Sequence, residues 1–170
     1  FIPNFMSVDE ISRLSGGSSN ESWKININTK DDKKILVFRR TPGGNLKDEE
    51  SNNFVDIADE AKVMDIAKDF DVPVPEILKV INHKDIGKGF FMQFIKGETL
   101  GNRIVNNEEF EQVRPKLAEK CGEIIANIHK IPISKFNNIR TSEAEEELLR
   151  YEEVYKSHNQ YIPVFEYAIS

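Results

Sequence analysis

The chain has 170 residues and a mass of 19.5 kDa, with 39% hydrophobic and 31% charged residues. That is globular composition, in a chain long enough to bury about 70% of its unfolded surface without covalent staples. A single cysteine, Cys121, excludes a disulfide framework and a Cys-rich zinc site, and no apolar run reaches the roughly 18 residues of a membrane span. A net charge of −6 and a pI near 5.2, without a basic cluster, argue against nucleic acid as a partner. The opening residues Phe1-Ile2-Pro3-Asn4-Phe5-Met6 lack the basic start and apolar stretch of a signal peptide. A reduced, cytoplasmic setting is the expectation.

Residues 10–15 read as a strand closed by Gly16-Gly17. Residues 22–29 alternate Trp23, Ile25 and Ile27 with Ser22, Lys24 and Asn26, the period of a half-buried strand. A polar turn at 29–33 leads into a third strand over 34–41, bounded by Pro42-Gly43-Gly44. Short turns between consecutive strands predict an antiparallel meander. Phe54, Ile57, Ala58, Ala61, Met64 and Ala67 then recur at helical steps. The polar stretch 45–53 leaves the start of this helix undefined. It ends near Phe70, because Val72-Pro73-Val74-Pro75 forces extended backbone. Residues 76–81 and 89–95 read as two further strands around a turn at 82–88.

Beyond residue 97 the texture becomes helical. A short helix is predicted over 99–105 with Thr99 as its cap. A longer one over 108–130 places Val113, Leu117, Cys121, Ile124, Ile125 and Ile128 at helical spacing. Pro115 marks a break within it and Pro132 closes it. Residues 143–155 form a third helix with acids early, and 161–170 begin another apolar segment. No internal repeat is present.

Three features carry the chemistry. Gly16-Gly17-Ser18-Ser19-Asn20-Glu21-Ser22-Trp23 joins two strands; glycines let backbone N–H groups approach an anion, and small hydroxylated residues leave room for phosphate. Taken alone it also reads as an ordinary turn. It is not a P-loop, since no Gly-Lys-Ser/Thr follows and it leads into a strand. In the strand Ile35-Leu36-Val37-Phe38-Arg39-Arg40, Val37 and Arg39 share one face, while Leu36 and Phe38 share the other. Arg39 is thereby offered as a phosphate-holding cation, although a surface arginine beside Pro42 fits the same residues. Glu60 lies near the apolar edge of the helix, where it could pair with Arg39 and orient the guanidinium; alone it reads as a solvated helix glutamate.

In this order, the glycine turn, strand cation, helix glutamate and two further strands form the pattern of a protein-kinase-like small lobe. The sequence resembles the aminoglycoside phosphotransferase-like family of small-molecule kinases. The likeness rests on Gly16 to Trp23, Val37 to Arg40, Glu60-Ala61, Val72 to Pro75, the Phe90 to Glu98 segment and Ile125 to His129, spread over about residues 9–169. The fold it implies is α+β: a five-stranded antiparallel sheet plus one helix over 1–96, then the first helices of a mostly α large lobe over 97–170. It further implies that Gly16, Gly17, Ser18, Ser19, Asn20 and Ser22 cover nucleotide phosphates and that Arg39 takes the place of the usual lysine. Glu60 would be its partner, with Val37 alongside. Met92, Gln93, Phe94 and Ile95 would form a hinge meeting the base, and Gly97 would be the pivot between lobes. The implied ligands are ATP or GTP with Mg2+ and a small-molecule hydroxyl acceptor, with the metal ligands beyond Ser170.

The family's His-Gly-Asp-x-x-x-x-Asn loop does not occur in the chain. His83-Lys84-Asp85 falls in a turn, His129 ends a helix and His158 lies in a polar stretch. The simplest expectation is a fragment that stops before the catalytic loop and does not itself transfer phosphate. The alternatives are a non-catalytic nucleotide-binding or interaction module, and a structural α+β domain without nucleotide response.

Overall fold

The computed structural model describes residues 1–14, 20–41, 56–137, 139 and 141–169. The chain divides into two compact units, Phe1–Asn138 and Ile139–Ser170. The first contains a five-stranded antiparallel sheet built from β1 (Phe5–Leu14), β2 (Glu21–Thr29), β3 (Lys33–Arg40), β4 (Ile77–His83) and β5 (Gly87–Gln93). Strand order is β1-β2-β3-β5-β4. The first three strands form the expected meander. The fifth then inserts between β3 and β4, because helix α1 (Ile57–Lys68) separates β3 from β4 in the chain. The predicted first strand is longer than expected: it begins at Phe5, with register shifts at Phe5/Ser7 and Val8/Glu10 that obscure a simple alternation.

Strand parity gives the sheet two unlike faces. Ser22, Lys24, Val37, Arg39, Phe90 and Met92 lie on one, and α1 docks there. Its Ile57 and Ala61 bury against the fully buried Phe90, with Met64, Ile77 and Met92 packed around them. Complete burial of a Phe side chain is worth about 1.5–3 kcal/mol, so this contact anchors the helix. The other face carries Trp23, Ile25, Ile27, Leu36, Phe38 and Phe91, with Phe38 and Phe91 stacked at 4.6 Å. Residues 42–55, including the predicted helix residue Phe54, lie outside the described residues. The helix start that sequence left open is made by Asp56, whose carboxylate accepts from the Ala58 N–H at 2.7 Å. Its end is a reversal in which Asp71 takes φ 58° and the Val72 N–H bonds back to the Ala67 carbonyl.

The helical part differs from expectation in two ways. Helix α2 (Gly101–Asn106) is not capped by Thr99; Leu100 is its N-cap, without a side-chain cap bond. Glu98 instead accepts from the Thr99 and Leu100 N–H groups, each at 2.9 Å, and from Arg103 Nη1 at 3.2 Å. With Leu100 as the N-cap, Thr99 stands one residue before the capping position. The long helix begins later, as α3 (Arg114–His129) after a 3-10 turn at Glu108–Phe110, with Pro115 in its first turn where no N–H is needed. Its Val113, Leu117, Ile125 and Ile128 are exposed, since no described element covers that face. Asn127 ties α3 to the reversal after α1 by donating to the Asp71 carbonyl at 3.3 Å.

The second unit contains α4 (Ala144–Ser157) and α5 (Pro163–Ile169), joined by Tyr155, which donates to Glu166 and accepts from the Ile162 N–H. Among the described residues no helix is long and apolar enough to cross a membrane.

Two outcomes follow. Gly89 pairs with Arg40 so closely to β3 that a Cβ would overlap the Arg39 carbonyl oxygen and lie 2.8 Å from Phe38 Cε2. Gly89→Ala should destabilise the fold by about 1–3 kcal/mol in urea melts; an unchanged midpoint would show that the strands part freely. The N–H of Leu100, and then Arg103 and the Thr99 N–H, hold the Glu98 carboxyl below its ordinary value of 4.5. A depressed carboxylate stabilises above its unfolded pKa and loses that contribution as pH falls through the folded one. Protection factors of the α2 amides, corrected for the intrinsic pH dependence of exchange, should therefore be steady above pH about 5 and fall in more acid solution, and Glu98→Gln should remove that fall.

Candidate functional site

The described part of the site lies on the helix-bearing face, at the end of the sheet where β2 begins and β3 ends. Ser22 stands opposite Arg39, and Arg39 opposite Phe90. One step further along, Lys24 stands opposite Val37, and Val37 opposite Met92. The expected pair is present: Arg39 Nε donates to Glu60 Oε1 at 2.7 Å, both side chains remaining about three-tenths exposed (28% and 30%). Glu60 meets the strand because Ala61 and Ile57 bury against Phe90 and so turn this edge of α1 inward.

Two further contacts complete the cluster. Asn20 Nδ2 donates to the second Glu60 oxygen at 3.2 Å, and Arg39 Nη1 donates to Ser22 Oγ at 3.4 Å. The guanidinium is thus held through Nε and Nη1, and Nη2 has no partner among the described residues. A planar cation held this way presents a fork to an anion with little left to order. Chemically, the cluster can hold a phosphate-like group beside a fixed positive charge.

Gly16, Gly17, Ser18 and Ser19 lie outside the described residues; only the strands they join are described, with Leu14 opposite Ser22 at their near end. Val37 is buried between Lys24 and Met92. Met92 packs against the α1 core, whereas Gln93 ends β5 on the opposite parity, its N–H bonded to the Glu76 carbonyl. Phe94 is half-buried and Ile95 is exposed. Gly97 has open space where a Cβ would be, so no steric demand singles out glycine there. His83 and Asp85 sit at the exposed β4–β5 turn, as their position in the sequence indicates.

Sequence reasoning passed over Lys24. Its ammonium lies 5.3 Å from the centre of the Phe94 ring, a cation–π contact that brings β2 to the segment after β5. The alternation of residues 22–27 already placed Lys24 on the face of Ser22. What it lacked was the strand order that sets Phe94 beside it.

Residues 10–166 match the phosphotransferase enzyme family, APH, and the chain belongs to that family. No curated protein sequence matches it significantly. Among solved structures it is similar to a Ralstonia eutropha JMP134 protein assigned by inference as an aminoglycoside phosphotransferase, with TM-score 0.61 and 20% identity, covering 94% of this chain and 45% of that one. It is also similar to a point mutant of aminoglycoside 2'-phosphotransferase-IIIa in complex with GDP, with TM-score 0.59 and 14% identity, covering 89% of this chain and 46% of that one. The fold is therefore that of the kinase-like phosphotransferases, and the chain spans less than half the length of these two structures.

A double-mutant cycle tests the cluster. Arg39→Ala and Glu60→Gln should each lower stability, and together by less than their sum, with a coupling of about 1 kcal/mol. Strict additivity in denaturant melts would show that the two groups do not interact in solution.

Proposed function

We propose that this chain is the nucleotide-binding part of an ATP- or GTP-dependent phosphotransferase that acts on a small-molecule hydroxyl in the cytoplasm. On this reading residues 1–96 form the nucleotide-binding lobe, and residues 97–170 form the hinge exit and the start of the helical lobe. The observation that carries it is the Arg39 guanidinium, held by Glu60 through Nε with its Nη2 side unpartnered among the described residues.

Phosphoryl transfer needs little covalent help from protein and much positioning of charge. Glu60 sets the orientation of the guanidinium and Asn20 shares the carboxylate, so the fork is ordered before a phosphate arrives. Arg39 then neutralises charge on non-transferred phosphate oxygens, while Gly16 to Ser19 and the Ser22 hydroxyl supply neutral donors around them. Val37, Met92 and Phe94 supply apolar contact for a base, and the backbone of residues 92–95 its edge. Among the described residues no three His, Cys, Asp or Glu side chains gather to hold a metal ion, so no step is assigned to Mg2+. The 170 residues contain no His-Gly-Asp-x-x-x-x-Asn sequence to position an acceptor hydroxyl.

Titration calorimetry with Mg-ATP and Mg-GTP is the test. The chain should bind at least one of them, and Arg39→Ala should weaken that binding by about tenfold or more. Incubation of the purified chain with nucleotide and small-molecule alcohols should give no phosphorylated product. Absence of binding to both nucleotides would refute the reading, and turnover would refute the division of labour it assumes.

A further inference from the structure

The opposite face of the same hairpin carries a second charged cluster that the nucleotide reading leaves unused. Glu21, the first residue of β2, stands opposite Arg40, the last residue of β3. Its Oε2 accepts from Arg40 Nε at 2.9 Å and from the indole Nε1 of Trp23 at 3.2 Å, and its Oε1 lies 3.7 Å from Arg13 Nη2. Two guanidinium groups approach the Trp23 ring, Arg13 at 5.9 Å and Arg40 at 5.8 Å from its centre. Arg40 also donates to the Ile86 carbonyl at 3.2 Å, which ties the cluster to the β4–β5 turn. The Glu21 side chain is only 13% exposed and that of Arg40 21%, so removing the Glu21 charge would leave a poorly solvated Arg40 without its carboxylate.

Because neighbouring strand residues point to opposite faces, Asn20 and Ser22 engage Glu60 and Arg39 on one side, while Glu21 and Trp23 engage Arg40 and Arg13 on the other. A slip of one residue would exchange the two sets and set carboxylate against carboxylate. We propose that Glu21 is a positioning residue for the phosphate-holding site: by clamping Arg40, Trp23 and Arg13 on the outer face, it fixes the stem of the glycine-rich turn so that Asn20 and Ser22 stay against Glu60 and Arg39. The proposal rests on the nucleotide-binding reading above. It makes triphosphate affinity depend on a residue that never reaches the ligand. The pairing also offsets the Glu21 charge near an anion bound close by.

Trp23 is the chain's only tryptophan, so its fluorescence reports on this cluster directly. The experiment compares wild type, Glu21→Gln and the conservative variant Glu21→Asp, using Mg-ATP, Mg-GTP, adenosine and guanosine as probes. Glu21→Gln should shift the Trp23 emission and weaken triphosphate binding by about tenfold while leaving nucleoside binding within about twofold of wild type; Glu21→Asp, which keeps a carboxylate on the same face, should retain more of the triphosphate affinity than Glu21→Gln. Arg40→Gln removes the same contact from the neighbouring strand and carries the test if Glu21→Gln does not fold. Shifted Trp23 emission with unchanged triphosphate affinity would overturn this inference alone. Equal loss for nucleosides and triphosphates would overturn it too, by showing general destabilisation. A wild type that binds neither triphosphate would refute the nucleotide reading and this inference with it.

Discussion

An arginine on a central strand facing a glutamate on α1, which docks against the sheet, is the constraint on which this structure turns. For Arg39 and Glu60 to meet, β3 must present Arg39 on the helix-bearing face, and α1 must roll so that Glu60 lies above it. The first condition comes from strand parity. The second comes from Phe90, whose complete burial under Ile57 and Ala61 leaves α1 one way to dock. Neither charge is sealed from water, so the pair escapes the large desolvation cost of a buried ion pair. Its direct contribution to stability is correspondingly modest, and its main effect is on the orientation of the guanidinium.

The hairpin that begins at Glu21 shows how one stretch of chain serves two purposes. Asn20 and Ser22 are spent on the helix-bearing face and Glu21 and Trp23 on the outer face, in strict alternation. The adjacent arginines Arg39 and Arg40 are therefore unlike each other: each has its own carboxylate, on its own side of the sheet. Gly89 adds to this arrangement, because only a residue without a side chain lets β5 approach β3 behind the two arginines.

Much of this was legible in the sequence because its causes are local. The alternation in β2 and β3, the helical spacing of Ile57, Ala61 and Met64, and the extended run at Val72 to Pro75 follow from backbone geometry over a few residues. Ends were read less well. Thr99 has the chemistry of a cap, yet the cap falls one residue later, at Leu100, and Glu98 accepts from the Thr99 and Leu100 N–H groups just before the helix. The predicted helix over 108–130 starts only at Arg114, because Pro115 suits a first turn and suits no later one. The apolar spacing in α3 predicts the helix correctly and says nothing of what covers it.

The sequence by itself determined the element types, the side of β3 on which Arg39 lies, and the family pattern, since periodicity and motif order are properties of neighbours along the chain. Only the tertiary structure decided that Asn20 shares Glu60 across 40 residues, that Glu21 gathers Arg40 and Arg13, and that Lys24 lies over Phe94. These contacts depend on β5 inserting between β3 and β4 and on the register of each pair of strands. That choice is made by burial of Phe90 and Val37 among many compatible pairings, and no local signal in the chain encodes it.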